Sequence, residues 1–117
     1  FTSWFKDIDV VNAGLDIVAL CSLNEGTPVS LIEAQAANNP VLSTKVGGVE
    51  NIVMEGKTGL LCEVGDLDKY SVQLLELLEN DELRTKMQQA GWESVKEKFH
   101  YTRLVKDIDK LYSSLLK

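Results

Sequence analysis

Two glutamates, Glu25 and Glu33, are separated by seven residues and lie on either side of a predicted strand-to-helix junction. The apolar run at residues 17–21 indicates a buried strand, and the polar, glycine-containing residues 24–26 end it. A helix is predicted to begin at Pro28, because proline has a preset φ and no N–H to leave unpaired. Thr27 is predicted to cap this helix. Glu25 then follows the strand, and Glu33 lies inside the helix. Carboxylates in these positions would accept hydrogen bonds from the hydroxyl groups of a ligand.

The start of this helix is a candidate anion site. The first amides of a helix have no partner within it, which here concerns Val29, Ser30 and Leu31. Such amides and the helix dipole favour negative charge, as in phosphate-binding helices. The junction therefore predicts a ligand that carries both phosphates and hydroxyls.

The surrounding elements alternate between strands and helices. Because strands joined by helical crossovers must run parallel, the pattern predicts an α/β fold with a parallel sheet of three or more strands and helices on both faces. The predicted elements are a helix at 6–13, a strand at 16–23, a helix at 28–37, a strand at 41–43, a helix at 49–54 and a strand at 59–62. The C-terminal third is predicted to be helical, with three apolar stripes that pack on the rest. We expect residues 1–117 to form a single domain.

A glycine pair, Gly47 and Gly48, follows the second predicted strand and gives a tight turn into the next helix. Thr44 and Lys45 end that strand, so both can face the same crevice as Glu25. We expect Lys45 to be a solvated surface charge.

These motifs occur together in one family. Residues 22–34, 40–44, 46–49 and 55–61 resemble, in order and spacing, the C-terminal donor-binding domain of the retaining GT-B glycosyltransferases of group 1, the family 4 type. The resemblance runs from about residue 16 to the end of the chain. It implies a Rossmann-like sheet, here a truncated GT-B C-terminal domain.

The resemblance also implies roles for the site residues. Glu33 would bind the nucleotide ribose, and Glu25, the catalytic residue, would bind a hydroxyl of the donor sugar. Donor sugar and diphosphate would lie along Glu25, Gly26, Thr27, Pro28, Val29, Ser30 and Leu31, and the crevice would include Thr44, Gly47 and Gly48. No protein nucleophile, cofactor or metal is expected, since catalysis would come from positioning and electrostatics.

The same resemblance implies that the chain is a fragment. A missing N-terminal domain would provide the site for a saccharide or lipid acceptor, and missing strands would provide a basic pair for the diphosphate. We therefore expect the isolated chain to be inactive and to have negligible to weak affinity for nucleotides. A truncated sheet also leaves an unpaired apolar edge, so self-association is expected.

Composition excludes several classes of protein. The chain is 44% hydrophobic and 26% charged with a formal net charge of −6, which argues against binding to nucleic acid and to anionic membranes. The two cysteines, Cys21 and Cys62, have no metal-ligand spacing and are predicted to be buried free thiols, which fits a reducing cytoplasm. Contact of the full-length protein with a membrane as a peripheral protein stays open.

Two alternatives from other classes remain. A nucleotide-sugar epimerase of the same fold would need catalytic acids and a histidine, and His100 lies outside the predicted crevice. A non-catalytic nucleotide-binding or signalling module would need an acidic cluster at the end of a strand. The Asp-x-Asp pairs at 7–9 and 107–109 are interpreted as solvated charges, His100 as a structural contact, and Trp4, Phe5 and Trp92 as core or inter-element aromatics.

Overall fold

The computed structural model describes residues 3–116. Its sheet has three parallel strands in the order β1-β2-β3, with Val18 opposite Val41 and Val41 opposite Gly59. In chain order the elements are α1 (Ile8–Ala13), β1 (Val18–Leu20), α2 (Val29–Ala36), β2 (Val41–Thr44), α3 (Val49–Ile52), β3 (Gly59–Cys62), α4 (Leu67–Glu79), α5 (Asp81–Phe99) and α6 (Tyr101–Leu115). The predicted α/β architecture is confirmed.

Helices cover both faces of the sheet. Successive residues of a strand point to opposite faces, so each strand contributes side chains to the core on either side. On one face, Val41 and Leu61 pack with Leu31 of α2 and with α3. On the other face, Leu42 and Leu60 pack with Leu77 of α4 and Met87 of α5. All of these side chains are buried, so the continuous apolar runs of β2 and β3 follow from their burial on two sides.

Polar side chains cap the N-termini of the three C-terminal helices. Asp66 accepts a hydrogen bond from the Lys69 amide at 3.0 Å, and Asn80 accepts one from the Leu83 amide at 2.9 Å. Nδ1 of His100 accepts one from the Thr102 amide at 3.3 Å, which makes His100 the cap of α6. The structural interpretation of His100 is thereby confirmed, since capping satisfies an amide that the helix leaves unpaired.

The expectation that all three C-terminal stripes pack on the rest is wrong for α6. Every residue of α6 is exposed, including Ile108 and Tyr112 of its apolar stripe. Three side chains interpreted as core or inter-element aromatics are also exposed: Trp4 (99%), Phe5 (54%) and Trp92 (42%). Amphipathic spacing indicates that a helix has an apolar face, but it does not provide a partner for that face.

Smaller differences concern single residues. Strand β1 is shorter than predicted, and its pairing with β2 covers only residues 18–20. Cys21, predicted to be buried, is exposed where the chain leaves this strand, whereas Cys62 is buried as predicted, and both are free thiols. Among the residues described, no helix has the length and apolarity that a membrane span requires.

Candidate functional site

The loops that follow β1 and β2 meet at one end of the sheet, as expected for neighbouring parallel strands. Thr44 Oγ1 donates a hydrogen bond to the carbonyl oxygen of Ser22 at 2.6 Å. The Ser22 hydroxyl in turn donates to Glu25 Oε1 at 2.5 Å. The end of β2 thus fixes the loop after β1, and that loop orients the carboxylate of Glu25. Sequence reasoning identified Glu25 and Thr44 but missed Ser22, which connects them.

The glycine pair after β2 packs directly on the backbone of the first loop. The amide of Gly48 donates to the carbonyl oxygen of Gly26 at 2.8 Å. A Cβ added to Gly47 would lie 1.7 Å from the Glu25 carbonyl oxygen, and one added to Gly48 would lie 2.5 Å from that of Gly26. Gly47 also has a φ of +51°, in the left-handed region that favours glycine. Only glycines allow the two backbones to approach this closely.

Helix α2 begins one residue later than predicted. Pro28 is its N-cap, with φ −73° and ψ 95°, because the ψ value takes this residue out of the helix although its φ would suit the first turn. Thr27 makes no capping hydrogen bond, and the amide of Leu31 donates to the Pro28 carbonyl at 3.1 Å. The exposed amides of the helix start are therefore those of Val29 and Ser30, two where three were expected.

Glu33 lies farther along α2 and faces α1. With Ile8, Asp9 and Asn12 of α1 and with Ala36 and Ala37, its side chain lines a cavity of about 290 Å³. Glu25 does not line this cavity. The contribution of α1 to the wall around Glu33 was not predicted from the sequence. The signal for it is Asn39, whose side chain donates to the carbonyl of Asn12 at 2.8 Å and ties α1 to the end of α2.

Lys45 is not the solvated charge that we expected. Its ammonium lies 3.0 Å from Glu55 Oε2 and 3.5 Å from Glu63 Oε1, and its side chain is only 22% exposed. A second lysine, Lys69 of α4, approaches the other oxygen of Glu55 at 3.6 Å. The hydrogen bond to Glu55 raises the pKa of Lys45, and the same bond lowers the pKa of Glu55. Lys45 is therefore directed toward β3 and α4.

Candidate metal-ligand side chains are dispersed over the part of the chain that the structure describes. No group of three or more potential ligand side chains occurs among residues 3–116. Of the two Asp-x-Asp pairs, Asp107 forms an ion pair with Arg103 at 2.7 Å, and Asp9 is exposed. What the site offers is a carboxylate fixed by a hydroxyl, two helix amides and a closely packed glycine turn.

Comparison with known proteins identifies the family. The family described as "Glycosyl transferases group 1" matches residues 1–94. An N-acetyl-alpha-D-glucosaminyl L-malate synthase of Bacillus anthracis is 35% identical over 102 residues, which are 87% of this chain and 27% of that protein. A D-inositol 3-phosphate glycosyltransferase of Corynebacterium efficiens is 34% identical over 92% of this chain and 25% of that protein. The chain thus spans about a quarter of the length of these relatives.

Solved structures agree with the family match. The crystal structure of the C-terminal domain of LpcC, a group 1 family glycosyl transferase from Francisella tularensis, has a TM-score of 0.75 at 29% identity, over 85% of this chain and 51% of that one. Anabaena HepE in complex with UDP has a TM-score of 0.84 at 22% identity over 94% of this chain and 30% of that one, which shows the fold alone. The resemblance found in the sequence is confirmed, and the chain belongs to the group 1 glycosyl transferases.

Proposed function

We propose that this chain forms part of the donor site of a retaining glycosyltransferase, which transfers a sugar from a nucleotide-sugar to a saccharide or lipid acceptor. The observation that carries the proposal is the contact between the Glu25–Gly26 backbone and the Gly47–Gly48 turn beside the start of α2. This contact brings a carboxylate, a glycine turn and helix amides to one end of the sheet. The family and the solved complexes of HepE with UDP and with UDP-glucose support this assignment.

In the proposed site, each group has a separate task. The amides of Val29 and Ser30, with the dipole of α2, stabilise negative charge on the departing diphosphate. Glu25, oriented by Ser22, accepts a hydrogen bond from a hydroxyl of the donor sugar. Glu33 accepts hydrogen bonds from the ribose, and bonds to a charged group contribute about 1.5–3 kcal/mol. The backbone from Gly26 to Leu31 lies along the ligand.

Neither a protein nucleophile nor a metal takes part in this scheme. Departure of the diphosphate and attack by the acceptor on the same face of the sugar retain the configuration, and the protein acts by positioning and electrostatics. The acceptor site and the basic groups for the diphosphate belong to the remaining length that the relatives have. The whole protein would be cytoplasmic. This chain alone would bind the nucleotide weakly and would give no turnover. Turnover by the isolated chain would refute that part of the proposal.

A ligand-observed NMR titration with UDP, GDP and ADP tests the donor site. We expect saturation transfer to one of the three nucleotides, which the Glu33→Ala variant loses. The matched control is Glu76→Ala, which removes an exposed glutamate from α4, on another part of the surface. Equal transfer in wild type and Glu33→Ala would contradict the role of Glu33. Added EDTA should leave the signal unchanged.

The epimerase alternative is weakened by the structure. An epimerase would need its histidine in the crevice, but the single histidine, His100, caps α6 and hydrogen-bonds Thr102. Nothing in residues 3–116 favours the signalling module over the donor site, because Asp16 precedes β1 and does not follow it.

A further inference from the structure

Lys45 stands between β2 and the glycine turn, and it is fixed on both its backbone and its side chain. Its amide donates to the carbonyl of Cys62 at 2.8 Å, which extends the pairing of β2 with β3 by one residue. Its ammonium lies between Glu55, which precedes β3, and Glu63, which follows it. The residue is thus tied to both ends of the neighbouring strand, immediately before the chain reverses toward the Glu25 loop.

The turn that follows has no freedom to absorb a shift. Gly47 approaches the Glu25 carbonyl so closely that even a Cβ does not fit, and the Gly48 amide is bonded to the Gly26 carbonyl. Tightly packed groups transmit displacements because the space between them cannot be compressed. A movement of the chain at Lys45 would therefore reach the backbone of Glu25 through one residue, Val46, and the turn.

We propose that Lys45 is a positioning residue: its ion pairs with Glu55 and Glu63 set the point where the chain leaves β2, and they thereby hold the Gly47–Gly48 turn against Glu25 and Gly26. Lys45 touches no ligand in this proposal and acts through the turn. The consequence for the donor sugar rests on the proposed function, whereas the consequence for the turn does not. Preorganisation of this kind is what a site needs from the residues that support its binding groups.

A purely structural role for the ion-pair cluster makes a different prediction. If the cluster only joined β2 and α4 to β3, removing Lys45 would disturb its partners Glu55 and Glu63 and removing Lys69 would disturb Glu55, but neither change would reach the loop after β1. Only Lys45 is adjacent to the glycine turn in the chain. Lys69 lies on α4 and serves as the matched control, because Lys69→Met removes a partner of the same glutamate without touching the turn.

Amide chemical shifts of the whole chain test the proposal without any ligand. In Lys45→Met, the amide signals of Glu25, Gly26, Gly47 and Gly48 should move by more than their line widths. Lys69→Met should leave these signals in place, and Lys45→Arg, which keeps the charge, should restore most of the wild-type positions. Unchanged Glu25 and Gly26 signals in Lys45→Met, or equal shifts in both methionine variants, would overturn the proposal.

A milder variant and a binding measurement complete the test. Should Lys45→Met fail to fold, Glu63→Gln removes only the longer ion pair, and it must still move the Gly47 and Gly48 signals more than Lys69→Met does. With the nucleotide that the wild type binds, Lys45→Met should weaken binding several-fold and Lys45→Arg should not. Absence of nucleotide binding in the wild type would refute a working half-site in the isolated chain, while the amide shifts would still decide the role of Lys45.

Discussion

Replacing Gly47 by alanine should be among the most damaging single-methyl additions in this chain. The new Cβ would lie 1.7 Å from the Glu25 carbonyl oxygen, whereas real Cβ atoms essentially never approach within 3.0 Å, so the two backbones must separate by about 1.3 Å. The left-handed backbone, φ +51°, adds about 1–2 kcal/mol for a residue with a Cβ. Overpacking of a filled space adds about 1–3 kcal/mol. We expect a total loss of about 2–5 kcal/mol in the free energy of unfolding.

Three other glycines separate the two contributions. At Gly26 a Cβ meets nothing within 4 Å and φ is not positive, so alanine should change stability by less than about 0.5 kcal/mol. At Gly56 there is also open space, but φ is +74°, and only the cost of the left-handed backbone, about 1–2 kcal/mol, should be seen. At Gly48, where φ is −84°, only the contact with Gly26 at 2.5 Å operates.

Urea denaturation followed by circular dichroism measures these differences, provided that the slope of the free energy against urea is the same in all variants. In thermal melts, each kcal/mol should lower Tm by roughly 4 °C for a domain of this size. If Gly47→Ala costs no more than Gly56→Ala, the loops do not press on one another, and the close contact that underlies the proposed site would be wrong.

Three further predictions concern other parts of the molecule. The hydrogen bond with Lys45 is the main reason that the pKa of Glu55 lies below 4.5. The ionised carboxylate therefore stabilises the fold above pH 4.5, and this stabilisation is lost as the pH falls through the lowered pKa. Between about pH 6 and about pH 3, thermal melts should show a smaller drop in Tm for Glu55→Gln than for wild type. Leu77→Ala should cost about 2–5 kcal/mol, whereas Ile108→Ala on the exposed α6 should stay within about 0.5 kcal/mol by urea denaturation, and equal costs would contradict the exposed position of α6. Sedimentation equilibrium should detect self-association through the free edge of β1. The variant Ala19→Lys places a charge on that edge and should reduce the association. A wild-type monomer at all concentrations would refute this prediction.

Local sequence patterns were sufficient for the elements of the sheet and for the meeting of the two loops. The predicted strand at 59–62 agrees with β3, and the glycine pair forms the tight turn that its sequence predicts. Both features follow from local properties of the sequence: the alternation of strands and helices, and the backbone freedom of glycine. That the turn packs on Glu25 and Gly26 follows once β1 and β2 are neighbours, since parallel neighbours end on the same side.

Features that depend on distant partners could not be predicted in the same way. Lys45 was expected in solvent, yet its partners are Glu55 and Glu63, which lie farther along the chain at the two ends of β3. The prediction also placed residues 16 and 17 and 21–23 in β1, but its pairing with β2 covers only Val18 to Leu20. The start of α2 at Val29 depends on the ψ of Pro28, which proline does not restrict as it restricts φ.

The same distinction separates a packed part of the molecule from apolar surfaces that are left exposed. Glu25 is oriented by Ser22, Thr44, Gly47 and Gly48. These residues lie in the loops after β1 and β2, next to the buried core that β2 forms with α2 and α3. By contrast, α6 and the free edge of β1 expose apolar residues that nothing in residues 3–116 covers. Glu25 should therefore hold its orientation whether or not another surface covers α6 and the edge of β1. Under the proposed function, weak nucleotide binding by this chain would then reflect the lack of contacts from outside residues 1–117, and it would not reflect disorder of the loop that carries the glutamate.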